Sequence, residues 1–335
     1  MKINMKEYLL QMMESNVKKS APLLSFPSVQ LLGKTVKDII SDSTLQAEGM
    51  RLVAEKCDSA FSVSFMDLSV EAECFGASVV FSEDEVPNVT GRVVTSMEDA
   101  ENLKVPVVGA ARSGIFIDAI KKATRLITDR PVLAGVIGPF SLAARLIDVT
   151  EIMMECYDEP EMVETVLIKS AEFLKNYCLA YKEAGANGIV MAEPVAGLLS
   201  PTLEEEFSMP YVKEIVDTVQ DDNFIVVYHN CGDNTPMMAE SLIKNGSAAY
   251  HFGNSVDMEI MLEKFPGNIP VMGNVDPAGE FFGGTEESVR ENTRALLEKC
   301  GGYKNFILSS GCDIPPMSPW KNIDAFFKAS EEFYG

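Results

Sequence analysis

The sequence has few histidines and few basic residues. It contains 2 His, and 28 Lys and Arg stand against 50 Asp and Glu, which leaves a formal net charge of −22 at pH 7. This charge argues against nucleic acid as a partner, because a protein that binds phosphates needs an excess of positive charge. It also disfavours an anionic membrane surface. An acidic surface is still compatible with docking onto a basic patch of another protein.

Long apolar runs are also missing, so the sequence predicts no membrane span. The first ten residues are expected to form a short amphipathic start and not a signal peptide. The 7 cysteines lack paired spacing, which indicates a reducing, cytoplasmic location without disulfides. Five of the cysteines fall in helix-like or connecting segments and are interpreted as structural: Cys57, Cys74, Cys156, Cys178 and Cys300.

Short apolar segments alternate with amphipathic helices along the whole chain. This rhythm predicts an α/β fold, a single (β/α)8 TIM barrel over residues 1–335, with an N-terminal helix at 5–19 and a small hairpin inserted at 78–94. A pair of doubly wound sheets is the alternative. The barrel is favoured because no Pro-, Gly- or Ser-rich linker divides the chain. The eight predicted strands are 21–27, 60–65, 131–138, 188–194, 224–230, 248–253, 269–277 and 306–309.

Reactive side chains collect where the predicted strands end. In a barrel the active site lies at the carboxyl ends of the strands. Each of these residues alone can be a hydrogen-bonded polar group, but their common placement predicts a functional site. They are Asp67, Glu71, Glu193, His229, Cys231, His251, Asn274, Asp276 and Cys312.

His229 and Cys231 follow the apolar run that begins at Phe224. Two residues apart on an extended backbone, their side chains point to the same side. Cys312 follows a second run of the same kind, which begins at Phe306. One imidazole and two thiolates from strand ends suit zinc with an open fourth position. The alternative interpretation is a hydrogen-bonded histidine and inert buried cysteines.

With these motifs in place, the chain resembles the uroporphyrinogen decarboxylase superfamily over nearly its whole length. Within it, the chain is similar to the zinc-dependent methylcobamide:coenzyme M methyltransferases. The matching motifs are Phe65-Met66-Asp67-Leu68, Gly138-Pro139-Phe140, Glu193-Pro194 with Leu199-Ser200-Pro201, His229-x-Cys231 and Gly311-Cys312-x-Ile314-Pro315-Pro316. Two features depart from true decarboxylases: no arginine precedes Arg51, and Cys312 replaces a late histidine.

The resemblance implies methyl transfer between a corrinoid and a thiol. Zn²⁺ would be held by His229, Cys231 and Cys312, with Glu193 expected to occupy or guard its fourth position. Asp67 matches the pyrrole-binding aspartate of the decarboxylases and is assigned a catalytic or substrate-binding role. The other residues expected to bind substrate or corrinoid are Glu71, Phe140, Arg145, His251 and Asn274.

The sequence contains no Asp-x-His-x-x-Gly signature of a corrinoid-binding domain, so the cobamide is expected on a separate protein. The acceptor stays open between coenzyme M, another thiol and a pterin such as tetrahydrofolate, and so do the direction of transfer and the oligomeric state. Two other classes remain alternatives. They are a tetrapyrrole decarboxylase and a non-enzymatic protein that binds a corrinoid or a metal.

Overall fold

Seven parallel strands form one curled sheet in the computed structural model, which describes residues 3–335. Two further strands, β2 and β3, pair in an antiparallel hairpin at the predicted place. The order in the curled sheet is β1-β4-β5-β6-β7-β8-β9. The strands are β1 Ser62–Val63, β2 Ser78–Val80, β3 Asn88–Thr90, β4 Val132–Ile137, β5 Gly188–Ala192, β6 Ile225–Asn230, β7 Ala249–Phe252, β8 Val271–Val275 and β9 Phe306–Ser310.

The eighth position of the barrel is filled by an extended segment, residues 20–25, between β9 and β1. Ala21 donates its N–H to the Leu308 carbonyl at 2.8 Å, and Ala60 donates to the Ser20 carbonyl at 2.8 Å. The prediction of a regular strand at 21–27 was wrong. Pro22 has no N–H to donate, so the ladder on this segment stays incomplete, and Phe26 and Pro27 form the turn that leads into the helix beginning at Ser28. The (β/α)8 barrel itself is confirmed.

The barrel strands are buried on both faces, as parallel strands covered by helices should be. Their side chains alternate between two cores. On β6, Ile225 and Val227 join the core inside the barrel, while Val226 and Tyr228 join the core beneath the helices. The same period of two therefore sends His229 inward at the end of the strand.

The helices lie outside the sheet or cap its ends, and none in residues 3–335 is long and apolar enough to cross a membrane. Residues 201–219 form two helices that meet at Ser208. The helices are α1 Met5–Glu14, α2 Ser28–Leu32, α3 Val36–Ile40, α4 Ser43–Lys56, α5 Val70–Cys74, α6 Met97–Asn102, α7 Ser113–Leu126, α8 Pro139–Ile147, α9 Val149–Asp158, α10 Pro160–Glu183, α11 Pro201–Phe207, α12 Met209–Val219, α13 Ala239–Lys244, α14 Met258–Lys264, α15 Glu286–Cys300 and α16 Trp320–Tyr334. Short 3-10 helices occur at Ala196–Leu198 and Thr235–Met238, and a short π-helix occurs at Pro277–Phe282.

The N-terminal helix α1 closes the end of the barrel where the strands begin. Asn4 caps it by accepting the Glu7 N–H. Met5 and Leu9 are buried in the core inside the barrel. The Tyr8 hydroxyl donates to the Ala60 carbonyl at 2.6 Å. The helix stops at Glu14, five residues before its predicted end.

Candidate metal centre

His229, Cys231 and Cys312 converge at the open end of the barrel, as the sequence predicted. Their potential ligand atoms all lie within 4.8 Å of one another, and His229 Nε2 is 3.5 Å from Cys312 Sγ. Zinc–nitrogen bonds of about 2.0–2.1 Å and zinc–sulfur bonds of about 2.3 Å place tetrahedral ligands roughly 3.5–3.8 Å apart. The three side chains therefore fit a zinc ion, and a fourth position is left for another ligand.

The two thiols interact directly. A hydrogen bond from the Cys312 thiol lowers the pKa of Cys231. The same bond, followed by burial, raises the pKa of Cys312 to about 12. Of the two thiols, Cys231 therefore loses its proton more readily in the metal-free protein. Metal binding at this site has to release the thiol protons.

The backbone at Gly253 packs closely against Cys231 and so sets the position of Cys231 in the cluster. Gly253, directly after β7, lies so near that a Cβ there would be 2.4 Å from the Cys231 Cβ. Two carbon atoms cannot pack at that distance. Glycine at position 253 is thus a steric requirement for the position of Cys231.

His251 lies behind His229 and is fully buried. Its Nδ1 is 2.8 Å from the His229 Nδ1, and its Nε2 is 2.8 Å from the Ser309 Oγ. Burial, then the neighbouring His229, hold the pKa of His251 well below its usual value. The predicted substrate contact stays a prediction, but both ring nitrogens already have protein partners.

Glu193 caps the N-terminus of α8. Its Oε1 accepts the Phe140 N–H at 2.8 Å, and its Oε2 accepts the Ser141 N–H at 2.8 Å and the Ser141 hydroxyl at 2.7 Å. Complete burial raises its pKa to about 7, although these hydrogen bonds oppose the shift. The guarding role at the fourth metal position stays a prediction, and the helix-capping contacts argue against it.

Asp67 is held in a buried ion pair that the sequence did not reveal. Arg112, at the start of α7, contacts its Oδ2, and Ser69 donates its hydroxyl to Oδ1 at 2.6 Å. Arg112 also binds Glu73 at 2.7 Å and lies 4.9 Å from the centre of the Phe81 ring in the hairpin. The predicted catalytic or substrate-binding role of Asp67 would require opening this pair.

Glu71 and Phe140 are buried as well. Glu71 Oε1 accepts the Ile137 N–H at 3.1 Å, while Oε2 has no hydrogen-bond partner. Burial raises the pKa of Glu71 to about 7. The Phe140 ring is fully enclosed in the outer core. A corrinoid contact by either side chain stays a prediction that their burial does not favour.

Arg145 and Asn274 occupy different surroundings from those expected. Arg145 lies in the last turn of α8, not in a loop, and burial lowers its pKa without any carboxylate contribution. Asn274 donates from its amide to the carbonyls of Gly253 and Val256, both at 2.7 Å. Asn274 therefore ties β8 to the turn after β7. Substrate binding by these two residues stays a prediction.

A cleft of about 560 Å³ reaches Asp313, the residue after Cys312. This volume suits a small molecule. Its walls are mainly apolar, three carboxylates also line it, and none of the described residues that line it is basic. The lining comprises Phe26, Asp84, Glu85, Val86, Phe282, Asp313, Ile314, Pro315, Pro316 and Met317.

Sequence reasoning missed the residues that support this site. Arg112, Ser141, Gly253 and Ser309 carried no local signal, because each acts on a partner distant in the chain. Arg112 stands 45 residues from Asp67, and Ser309 stands 58 from His251.

Known proteins resemble this chain in sequence and in fold over most of its length. The protein is 29% identical over 271 residues to the methylcobamide:CoM methyltransferase MtbA of Methanosarcina acetivorans, covering 80% of this chain and 78% of that protein. It is 24% identical over 307 residues to a uroporphyrinogen decarboxylase of Hydrogenovibrio crunogenus, covering 88% and 85%. The fold matches a methyltransferase from Methanosarcina mazei with a TM-score of 0.86, at 24% identity over 99% of this chain and 100% of that one.

A family-wide match covers most of the sequence. The pattern described as "Uroporphyrinogen decarboxylase (URO-D)" matches residues 28–333, which include every barrel strand and all three candidate ligands. The chain therefore belongs to the uroporphyrinogen decarboxylase (URO-D) family.

Proposed function

We propose that this protein is a zinc-dependent corrinoid methyltransferase. It would move a methyl group between a methylated corrinoid, carried by a separate protein, and a small acceptor. The convergence of His229, Cys231 and Cys312 is the observation that carries the proposal. The similarity to proteins named methylcobamide:CoM methyltransferases supports it.

The ligand set suits activation of a thiol. Bound zinc would lower the pKa of a coordinated thiol, so that a thiolate forms at neutral pH. Cys231 and Cys312, both deprotonated, would cancel the charge of Zn²⁺. The acceptor thiolate would then keep the electron density that it needs to attack a methyl group. A site of three neutral imidazoles would withdraw more of that density and suit activation of water better.

The charge of the cleft that reaches Asp313, the residue after Cys312, is an argument about the acceptor. Coenzyme M carries a sulfonate, which needs a cationic partner. Asp84 and Glu85 line the cleft without a basic residue among its described lining. Asp313, the third acidic residue, adds less charge because burial raises its pKa well above the usual value. A neutral or cationic thiol fits this charge better than coenzyme M. The proposal also includes tetrahydrofolate as an alternative acceptor and the transfer of the methyl group in the reverse direction.

The decarboxylase alternative is favoured by one finding, the similarity to proteins named uroporphyrinogen decarboxylase. Two observations weigh against it. Asp67 is engaged by Arg112 in a buried ion pair, and Cys312 joins a metal-ligand cluster. The same cluster supports a catalytic protein over a non-enzymatic corrinoid-binding one. We also propose a single domain and a cytoplasmic location, the latter because all cysteines of the described residues are free.

The test measures zinc binding and methyl transfer on the reduced full-length protein. Wild type should bind one zinc ion and demethylate methylcobalamin in the presence of an acceptor, as followed by absorbance. Neutral, cationic and anionic thiols and tetrahydrofolate should each be tried. Cys312→Ala should bind zinc more weakly by at least about 100-fold and lose the activity, since loss of a direct ligand should exceed the effect of losing a supporting residue.

Cys74→Ala is the matched control, because Cys74 is also a partly buried free cysteine but lies outside the cluster. It should bind zinc and react like wild type. Equal rates for wild type and Cys312→Ala with every acceptor would refute the zinc-thiolate function. A reduced wild type that does not bind zinc would refute it as well.

A further inference from the structure

Three inward-facing side chains form one hydrogen-bonded row behind the metal ligands. They are His229 at the end of β6, His251 on β7 and Ser309 on β9. His229 and His251 are register partners in the sheet, so their rings meet directly. The row ends at the carbonyl of Ala21, in the segment that closes the barrel.

The direction of each hydrogen bond follows from the end of this row. The Ala21 carbonyl can only accept, so the Ser309 hydroxyl donates to it at 2.8 Å. With its single proton used, the Ser309 oxygen must accept from His251 Nε2, 2.8 Å away. His251 is then the tautomer with its proton on Nε2, and its Nδ1 is an acceptor.

Because His251 Nδ1 is an acceptor, it determines the tautomer of His229, the candidate metal ligand. His251 Nδ1 lies 2.8 Å from His229 Nδ1, and a bond between two ring nitrogens needs one proton. The proton must belong to His229. A second acceptor agrees, because the His251 carbonyl is 3.3 Å from the same His229 Nδ1. The lone pair of His229 is therefore on Nε2, the atom that faces Cys312 Sγ at 3.5 Å.

We propose that His251 is a positioning residue that, through Ser309 and the Ala21 carbonyl, holds His229 in the Nδ1–H tautomer with its Nε2 lone pair directed at the metal. The proposal rests on the zinc site of the proposed function. Metal-binding histidines generally donate their other N–H to a neighbouring acceptor, which sets ring orientation and tautomer. Here the acceptor is a second histidine, itself oriented by a serine from a third strand.

The amino-acid composition makes the proposal directly measurable. The chain has only 2 His, so protein labelled with ¹⁵N in the histidine rings gives two sets of ring signals. Long-range proton–nitrogen spectra of the metal-free, reduced protein report which ring nitrogen carries the proton. In wild type, His229 should be the Nδ1–H tautomer and His251 the Nε2–H tautomer.

Two substitutions at His251 distinguish the loss of the hydrogen-bond acceptor from the loss of the ring itself. His251→Leu removes the ring acceptor and leaves His229 Nδ1 only the more distant carbonyl of residue 251, at 3.3 Å. The Nδ1–H form of His229 should therefore lose population, and zinc should bind about 10-fold more weakly, within the usual effect of losing such a support. His251→Asn can present an oxygen near the position of Nδ1. It should keep the Nδ1–H tautomer and stay within about threefold of the wild-type zinc affinity.

Tyr250→Phe is the control for general damage to β7. Tyr250 points to the other face, where its hydroxyl donates to the Leu242 carbonyl at 2.8 Å, so the variant should change neither tautomer nor affinity. Unchanged His229 tautomer and zinc affinity in His251→Leu would overturn the proposal. So would an equal loss in Tyr250→Phe. A wild type that fails to bind zinc would reject the proposed function, whereas the metal-free tautomer would still decide the role of His251.

Discussion

Buried carboxyl groups are the least expected residues in this barrel. Glu71, Glu193 and Glu204 are each almost completely enclosed, and burial raises the pKa of each to about 7. These carboxyl groups have different structural roles. Glu193 caps a helix beside the candidate site, whereas Glu204 lies among the outer helices and receives a hydrogen bond from Ser241. A buried carboxyl group therefore does not by itself mark a catalytic residue in this protein.

Glu204 should make stability depend on pH. Its pKa is raised from 4.5 to about 7 on folding, so between these values the folded chain holds a proton that the unfolded chain releases. The contribution of Glu204 to the free energy of unfolding should be fully present below pH 4.5 and fall as pH rises toward 7, by about 1.4 kcal/mol for each unit between the two pKa values. Glu204→Gln should remove this part of the slope, as measured by urea unfolding at several pH values. Parallel curves for both proteins would contradict the assignment.

At the scale of elements, the turns after the strands decide whether the metal ligands meet. β6 delivers His229 and Cys231 to one side through its period of two, but the distance to Cys312 also depends on the turn after β7. That turn approaches Cys231 at Gly253 and is tied to β8 by the Asn274 amide. Neighbouring strand ends therefore set the geometry of the cluster jointly.

Replacing Gly253 by alanine should displace Cys231. The added Cβ would lie 2.4 Å from the Cys231 Cβ and 2.7 Å from its Cα. Overpacking of this kind costs about 1–3 kcal/mol of stability. Because Sγ of Cys231, the candidate ligand atom, moves with the displaced Cβ, zinc affinity should fall by about 10-fold or more. Gly302→Ala is the control, since a Cβ there meets nothing within 4 Å. Isothermal titration with zinc measures both; equal affinity in Gly253→Ala and Gly302→Ala would count against the steric argument.

At the scale of the whole molecule, the two ends of the barrel, one where the strands end and one where they begin, have different roles. The candidate ligands lie where the strands end, and α1 closes the end where they begin. In barrels of this type the first end carries chemistry and the second carries stability. Met5 and Leu9 reach the inner core from below, while the metal ligands lie above that same core.

Leu9→Ala should therefore weaken the fold without weakening the metal site. Leu9 is 5% exposed, and truncating a buried leucine costs about 2–5 kcal/mol. Leu10→Ala, one residue along and 44% exposed, should change stability by no more than about 0.5 kcal/mol. Urea unfolding gives the stabilities, and zinc titration of the folded proteins should give the wild-type affinity for both. A loss of zinc affinity in Leu9→Ala alone would show that the two ends are coupled.

The barrel and its three candidate ligands could be predicted from the sequence because both depend on local patterns. Apolar runs of strand length indicate buried parallel strands wherever they occur. The spacing of His229 and Cys231 places them on one side of any extended backbone. The first strand was predicted wrongly although its composition is apolar, because Pro22 interrupts the ladder that would have made it a strand and the chain turns at Pro27.

The sequence by itself determined the barrel, the end of it where the candidate ligands meet, and the residue types of that candidate metal cluster. Only the tertiary structure decided that Glu193 caps α8, that Asp67 pairs with Arg112, and that the ring of His251 contacts that of His229. These contacts join residues 53, 45 and 22 positions apart. Hydrogen bonds act over about 3 Å, so their partners are set by where the strand ends meet in space and not by any pattern along the chain.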